Sequence, residues 1–118
     1  MNRILWVDDD EQLLSAMRRT FAFDFDVVIK SSPQEALEAA ESDTFAVVVS
    51  DLRMPGMNGI ELLAKIGDSS PDTVRILLTG NADLDSAIGA VNEGNVFRFL
   101  NKPATEETPF DRSLLCND

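Results

Sequence analysis

The feature that most constrains this chain is a regular alternation of short apolar runs with stretches of helical periodicity. Residues 3–7, 27–30, 45–50, 74–78 and 96–100 read as buried strands, and 45–50 is the most uniformly apolar and so the most central. Between them lie helical patterns. Residues 11–23 place Leu13, Leu14, Met17 and Phe21 on one face. A second helix opens with Ser32 as N-cap, Pro33 at the first position and Glu35 completing a capping box, and runs to Glu41. Pro55, Gly56, Asn58 and Gly59 mark a loop, after which Ile60, Leu63 and Ile66 point inward. Pro71 and Asp72 turn the chain, and a fourth helix carrying Leu84, Ala87, Ile88 and Val91 stops at Gly94. Strands separated by helices pair in parallel through right-handed crossovers, which puts helices on both faces of one sheet. The expected fold is therefore α/β, a doubly wound parallel sheet of five strands.

A doubly wound sheet binds its ligands beyond the carboxyl ends of the strands. The residues just after the strands are Asp8, Asp9 and Asp10, then Asp51, then Thr79, then Lys102 followed by Pro103. Carboxylates brought together repel, and a hard cation with oxygen ligands relieves that repulsion. Magnesium suits such a group because it binds through few carboxylates, keeps waters and contacts phosphate oxygens. A lysine ammonium adds a second positive charge for a phosphoryl group, and a threonine hydroxyl donates to a phosphate oxygen. Asp51 is then the candidate nucleophile. Asp10 stands just before a helix and reads as its cap, with no ligand role. Each of these residues has a simpler explanation alone, as a turn residue, a cap or a surface charge. Their joint occurrence after successive strands is what points to a site.

Composition narrows the function. The chain has 118 residues, with 21 acidic and 10 basic side chains and a net charge of −11. That length suits one domain, residues 1–118. A basic stripe for nucleic acid is missing from the pattern, so direct DNA or RNA binding is not expected. Histidine is absent, which removes histidine-based triads, histidine metal sites and a phosphohistidine of the chain's own. The lone cysteine, Cys116, forms no internal disulfide and fits a reducing compartment. Neither a signal segment nor a membrane-spanning run is read, and a cytoplasmic location is expected.

At the residues after the strands the chain resembles a known family. Ile-Leu-Trp-Val-Asp-Asp-Asp at 4–10, Ser-Asp-Leu-Arg-Met-Pro-Gly-Met-Asn-Gly at 50–59, Leu-Thr-Gly at 78–80 and Phe-Leu-Asn-Lys-Pro at 99–103 resemble, in order and spacing, the segments of bacterial response regulator receiver domains. The resemblance covers residues 3–103. It implies a flavodoxin-like sheet of order 2-1-3-4-5. It implies a phosphoacceptor at Asp51, which takes a phosphoryl group from the phosphohistidine of a partner histidine kinase or phosphotransfer protein. Asp8, Asp9, Asp51 and the backbone carbonyl of Arg53 become the implied magnesium ligands, Asp8 through water, with manganese able to replace the ion. Thr79 and Lys102 become phosphate contacts, Thr79 and Phe99 the switch pair, and Pro103 follows a cis peptide bond. Phe99 lacks a hydroxyl, so it switches by packing alone. Arg53 and Asn81, each two residues past a site residue, are expected to influence the lifetime of the acyl phosphate.

The tail departs from the pattern. Pro109 breaks any helix running on from Pro103, so residues 104–118 are atypical, with a last helix that is short or displaced, starting at Thr108 and turning Phe110 and Leu114 inward. Apolar surface left open beside the fourth helix and fifth strand is expected to serve self-association or a partner. Two other functions fit less well. A magnesium-dependent phosphohydrolase with an aspartyl nucleophile needs an acid–base group near Asp51, where Arg53 stands, and a substrate cap. A degenerate receiver used only for binding would not need the full set of site residues. The expected chemistry is self-directed: a signalling domain and not an enzyme acting on other substrates.

Overall fold

The computed structural model describes residues 3–79 and 98–101. Five parallel strands form one sheet in the order β2-β1-β3-β4-β5, namely β1 Arg3–Val7, β2 Asp26–Lys30, β3 Val47–Asp51, β4 Val74–Thr79 and β5 Arg98–Asn101. Three helices, α1 Glu11–Phe21, α2 Pro33–Ser42 and α3 Gly59–Ser69, join the first four strands.

Strand alternation assigns the faces. Ile4 and Trp6 of β1 join Val47, Val49, Ile76 and Leu78 in a core closed by Leu14, Met17 and Phe21 of α1. Leu5 and Val7 point the other way, joining Val48 and Leu77 in a core closed by Ala36 of α2 and Leu62, Leu63 and Ile66 of α3. Helices therefore cover both faces, as the doubly wound reading requires. Trp6 is fully buried and stacks on Phe21 with ring centroids 5.8 Å apart. Such a ring pair adds about 0.5–1.5 kcal/mol beyond the area it buries.

The helix starts follow the cap chemistry. The Ser32 hydroxyl accepts from the Glu35 amide at 3.3 Å and donates to the Glu35 carboxylate at the same distance, so the box closes side chain to side chain. Asn58 accepts from the Glu61 amide at 2.9 Å and starts α3. At the opposite end of the sheet, Arg3 pairs with Asp26 and Asp43, each at 3.0 Å, and lies 5.5 Å over the Phe45 ring. The hydrogen bond that the Arg3 guanidinium donates to the Asp43 carboxylate is the main cause that holds the Arg3 pKa above its ordinary value.

Several boundaries or faces differ from the sequence reading. Helix α1 ends at Phe21, because the amides of Asp24 and Phe25 turn back onto the Phe21 carbonyl; Phe23 is fully exposed and Phe25 packs edge-on against Phe21. Helix α3 buries Gly59, Leu62, Leu63 and Ile66, so Leu62 faces inward while Ile60 is half-buried. Strand β3 starts at Val47, two residues later than expected, and Asp51 is its last residue, paired with Leu78. Thr79 likewise ends β4, with its backbone opposite Asn101. The fourth helix, Asn81, the start of the fifth strand at Val96, Lys102, Pro103, the tail from 104 to 118 and the expected self-association surface lie outside the described residues.

Candidate functional site: an acidic cluster at the carboxyl ends of β1 and β3

The parallel register places the site. Val7 of β1 lies beside Ser50 of β3, so Asp8 and Asp51, the next residues, stand side by side at the sheet's carboxyl rim. The Asp8 amide donates to the Lys30 carbonyl at 3.2 Å, carrying the β1–β2 ladder one residue further and fixing the backbone. Asp8 is completely buried, Asp51 is 8% exposed and Asp9 is open to solvent. One carboxylate oxygen from each of the three lies within 4.8 Å of the others.

The loop after Asp51 is pinned at both ends. The Leu52 amide donates to the Leu78 carbonyl at 3.1 Å, and the Gly59 amide donates to the Leu52 carbonyl at 2.8 Å. Leu52 is buried in the core, whereas Arg53 is exposed. Gly56 takes a φ of 88°, a conformation that favours glycine. The Ser50 hydroxyl, also buried, donates to the Asp51 carbonyl at 2.9 Å. From sequence, Gly59 is only a loop marker. It is where α3 meets the strand: a Cβ there would sit 2.2 Å from the Asp51 carbonyl oxygen. No hydropathy pattern reveals such an approach, since the residue has no side chain to score.

Of the residues expected at the site, the structure brings Asp8, Asp9 and Asp51 together. Asp10 turns away from the group and caps α1, accepting from the amides of Gln12 and Leu13 at 3.1 Å each, as expected. The backbones of Thr79 and Phe99 lie in β4 and β5, and their side chains fall outside what is described. Chemically, three carboxylates with buried and exposed members form an oxygen donor set for a hard divalent cation. Carboxylate oxygens within 4.8 Å of one another can share such an ion, directly or through its bound waters. Carboxylate, carbonyl and water are the donors such an ion prefers.

Comparison with known proteins places this geometry in context. The C4-dicarboxylate transport transcriptional regulatory protein DctD of Rhizobium meliloti is 39% identical over 101 residues, 85% of this chain. The chain spans 22% of that regulator's length. The crystal structure of adenylate cyclase from Rhodopirellula baltica superposes with a TM-score of 0.83 at 50% identity, covering 90% of this chain and 79% of that one. A response regulator protein from Burkholderia pseudomallei, solved with a phosphorylated aspartic acid, calcium ion and citrate, superposes at 0.79 with 29% identity, over 92% of this chain and 64% of its own. The family model for the response regulator receiver domain matches residues 4–112, which takes in all of β2 to β5, β1 from Ile4, and Asp8, Asp9 and Asp51. By that match, and by a sheet of order 2-1-3-4-5 with an acidic rim, the chain belongs to the response regulator receiver domain family.

Proposed function

We propose that the chain accepts a phosphoryl group on Asp51 in a magnesium-dependent reaction and uses the product to switch a protein-interaction surface. The observation that carries this reading is the convergence of Asp8, Asp9 and Asp51 within 4.8 Å in a receiver domain. An Asp51 carboxylate oxygen attacks phosphorus in line with the leaving group. The P–O bond to Asp51 forms as the P–N bond to the donor imidazole breaks, and the imidazole keeps the electron pair. Asp8, Asp9, Asp51 and the Arg53 carbonyl would hold magnesium, which supplies positive charge to the transferring oxygens. The Lys102 ammonium and Thr79 hydroxyl are assigned to the phosphate oxygens. Phe99 is assigned to the packing change that follows, and a cis bond is assigned before Pro103. The solved relative that carries a phosphorylated aspartic acid and a calcium ion supports this reading.

The donor is proposed to be the phosphohistidine of a histidine kinase or phosphotransfer protein, since this chain carries no histidine. The chemistry is self-directed, with hydrolysis of the acyl phosphate returning Asp51, and no other substrate is turned over. The net charge of −11 opposes the phosphate backbone of DNA, so the chain itself is not proposed to bind it. No helix among the described residues is long and apolar enough to cross a membrane, and a cytoplasmic role is proposed. The test uses phosphoramidate, a small donor whose P–N bond stands in for phosphohistidine. Uptake of phosphate by the wild-type chain with magnesium, and none with a chelator, is expected. Uptake that ignores the chelator overturns the magnesium role.

A further inference from the structure

We infer that Asp10 is a positioning residue for the cation site: in capping α1 it fixes the amide that orients the Asp8 carboxylate. The inference rests on the proposed cation reading of Asp8, Asp9 and Asp51. Asp10 uses three of its groups at once. Its side chain accepts from the amides of Gln12 and Leu13 at 3.1 Å each. Its carbonyl accepts from the Leu14 amide at 3.1 Å. Its own amide donates to Oδ1 of Asp8 at 2.9 Å. The residue holds the extended conformation of an N-cap, φ −89° and ψ 99°.

These bonds form a chain from the core to the site. Helix α1 is anchored by Leu14, Met17 and Phe21, all buried against the sheet. The cap locks the first turn of that helix to Asp10, and the Asp10 amide then holds one oxygen of Asp8. The Asp8 backbone is held separately by Lys30. A buried carboxylate with two anionic neighbours is driven to rotate away from them, and the amide bond opposes that rotation. The consecutive aspartates thus divide the work. Asp8 and Asp9 face the cluster, while Asp10 faces the helix and sets the torsion of Asp8. Hydrogen-bond partners of metal ligands act in this way, by holding the ligand in its binding orientation.

The test is magnesium titration by calorimetry at fixed ionic strength, on the wild-type chain and on Asp10→Ala, Asp10→Asn and Ser32→Ala. Asparagine caps as well as aspartate, and both substitutions at residue 10 remove the same charge, so their difference reports the cap. Asp10→Ala is expected to raise the magnesium dissociation constant about tenfold, the scale seen when a ligand's hydrogen-bond partner is lost. Asp10→Asn is expected to stay within about twofold of its parent, because the cap survives. Ser32→Ala removes an equivalent cap from α2 with no bond to Asp8, and is expected to bind as the wild type does. Equal weakening in Asp10→Ala and Asp10→Asn overturns the proposal in favour of charge alone. Equal weakening in Ser32→Ala overturns it in favour of general loosening. A second readout needs no variant: the Asp10 amide resonance of the wild-type chain should move with the same dissociation constant as the heat, and a stationary resonance overturns the proposal. A wild-type chain that takes up no magnesium, or an Asp51→Asn chain that binds it unchanged, refutes the cation reading itself and so is distinct from a failure of the Asp10 role.

Discussion

Gly59 packs against the carbonyl of Asp51 so closely that a single added methyl group would lie 2.2 Å from that oxygen and 2.8 Å from Cδ1 of Leu77. Helix α3 therefore begins directly on the end of the strand that carries the candidate phosphoacceptor. Gly59→Ala cannot be accommodated without moving the helix start or the Asp51 backbone. The expected cost is about 1–3 kcal/mol, the range for forcing atoms into a packed interior, read by urea denaturation. Phosphate uptake should slow as well, since the displaced backbone is that of Asp51. Wild-type stability in the alanine variant would contradict the packing described.

Leu62 and Ile60 make a paired test of how α3 is turned. Leu62 is fully buried and Ile60 only half-buried. Leu62→Ala should cost about 2–5 kcal/mol through lost burial and the cavity left behind. Ile60→Ala should cost clearly less. The reverse order, by thermal or urea unfolding, would mean that the helix presents its other face.

Asn58 holds the first turn of α3 through the Glu61 amide. Asn58→Ala should lose about 1 kcal/mol of stability, as cap removals do, while Asn58→Asp should lose little. Equal losses would show that the side-chain oxygen is not what matters.

Magnesium should stabilise the folded chain. At a concentration 100 times its dissociation constant, a ligand specific to the folded state adds about 2.7 kcal/mol, visible as a rise in Tm. The rise should vanish in Asp8→Asn and in Asp51→Asn. A rise that persists in both variants would place the ion elsewhere.

The strands and the rim were legible because they depend on features that sequence displays. Parallel βαβ units put every strand's carboxyl end on one edge, and the strand order implied by the family resemblance sets β1 beside β3, so the acids after residues 7 and 50 meet. Caps were legible at Ser32 and Asp10 because their side chains act locally. Other features were hidden for physical reasons. The fully buried stripe of α3 runs 59, 62, 63 and 66 and begins on a glycine, so Leu62 is not evident from sequence, while the expected Ile60 packs against the core half-buried. Phe23 suggested a longer α1, yet the chain turns at Ala22 and leaves that ring exposed, with no glycine to mark the stop. The bond from Thr73 to the Phe45 carbonyl, 2.8 Å across 28 residues, is a tertiary contact with no local signature. The same holds for Arg75, whose guanidinium reaches the Leu63 carbonyl at 3.4 Å over the space left by Gly67.

Intact mass after incubation with magnesium and a small acyl-phosphate donor tests the central claim most directly, with Asp51→Asn run alongside. The account predicts that the wild-type chain gains one phosphoryl group and that the variant gains none. A variant that gains the group as readily as the wild type, or a wild-type chain that gains none while binding magnesium, would contradict Asp51 as the acceptor.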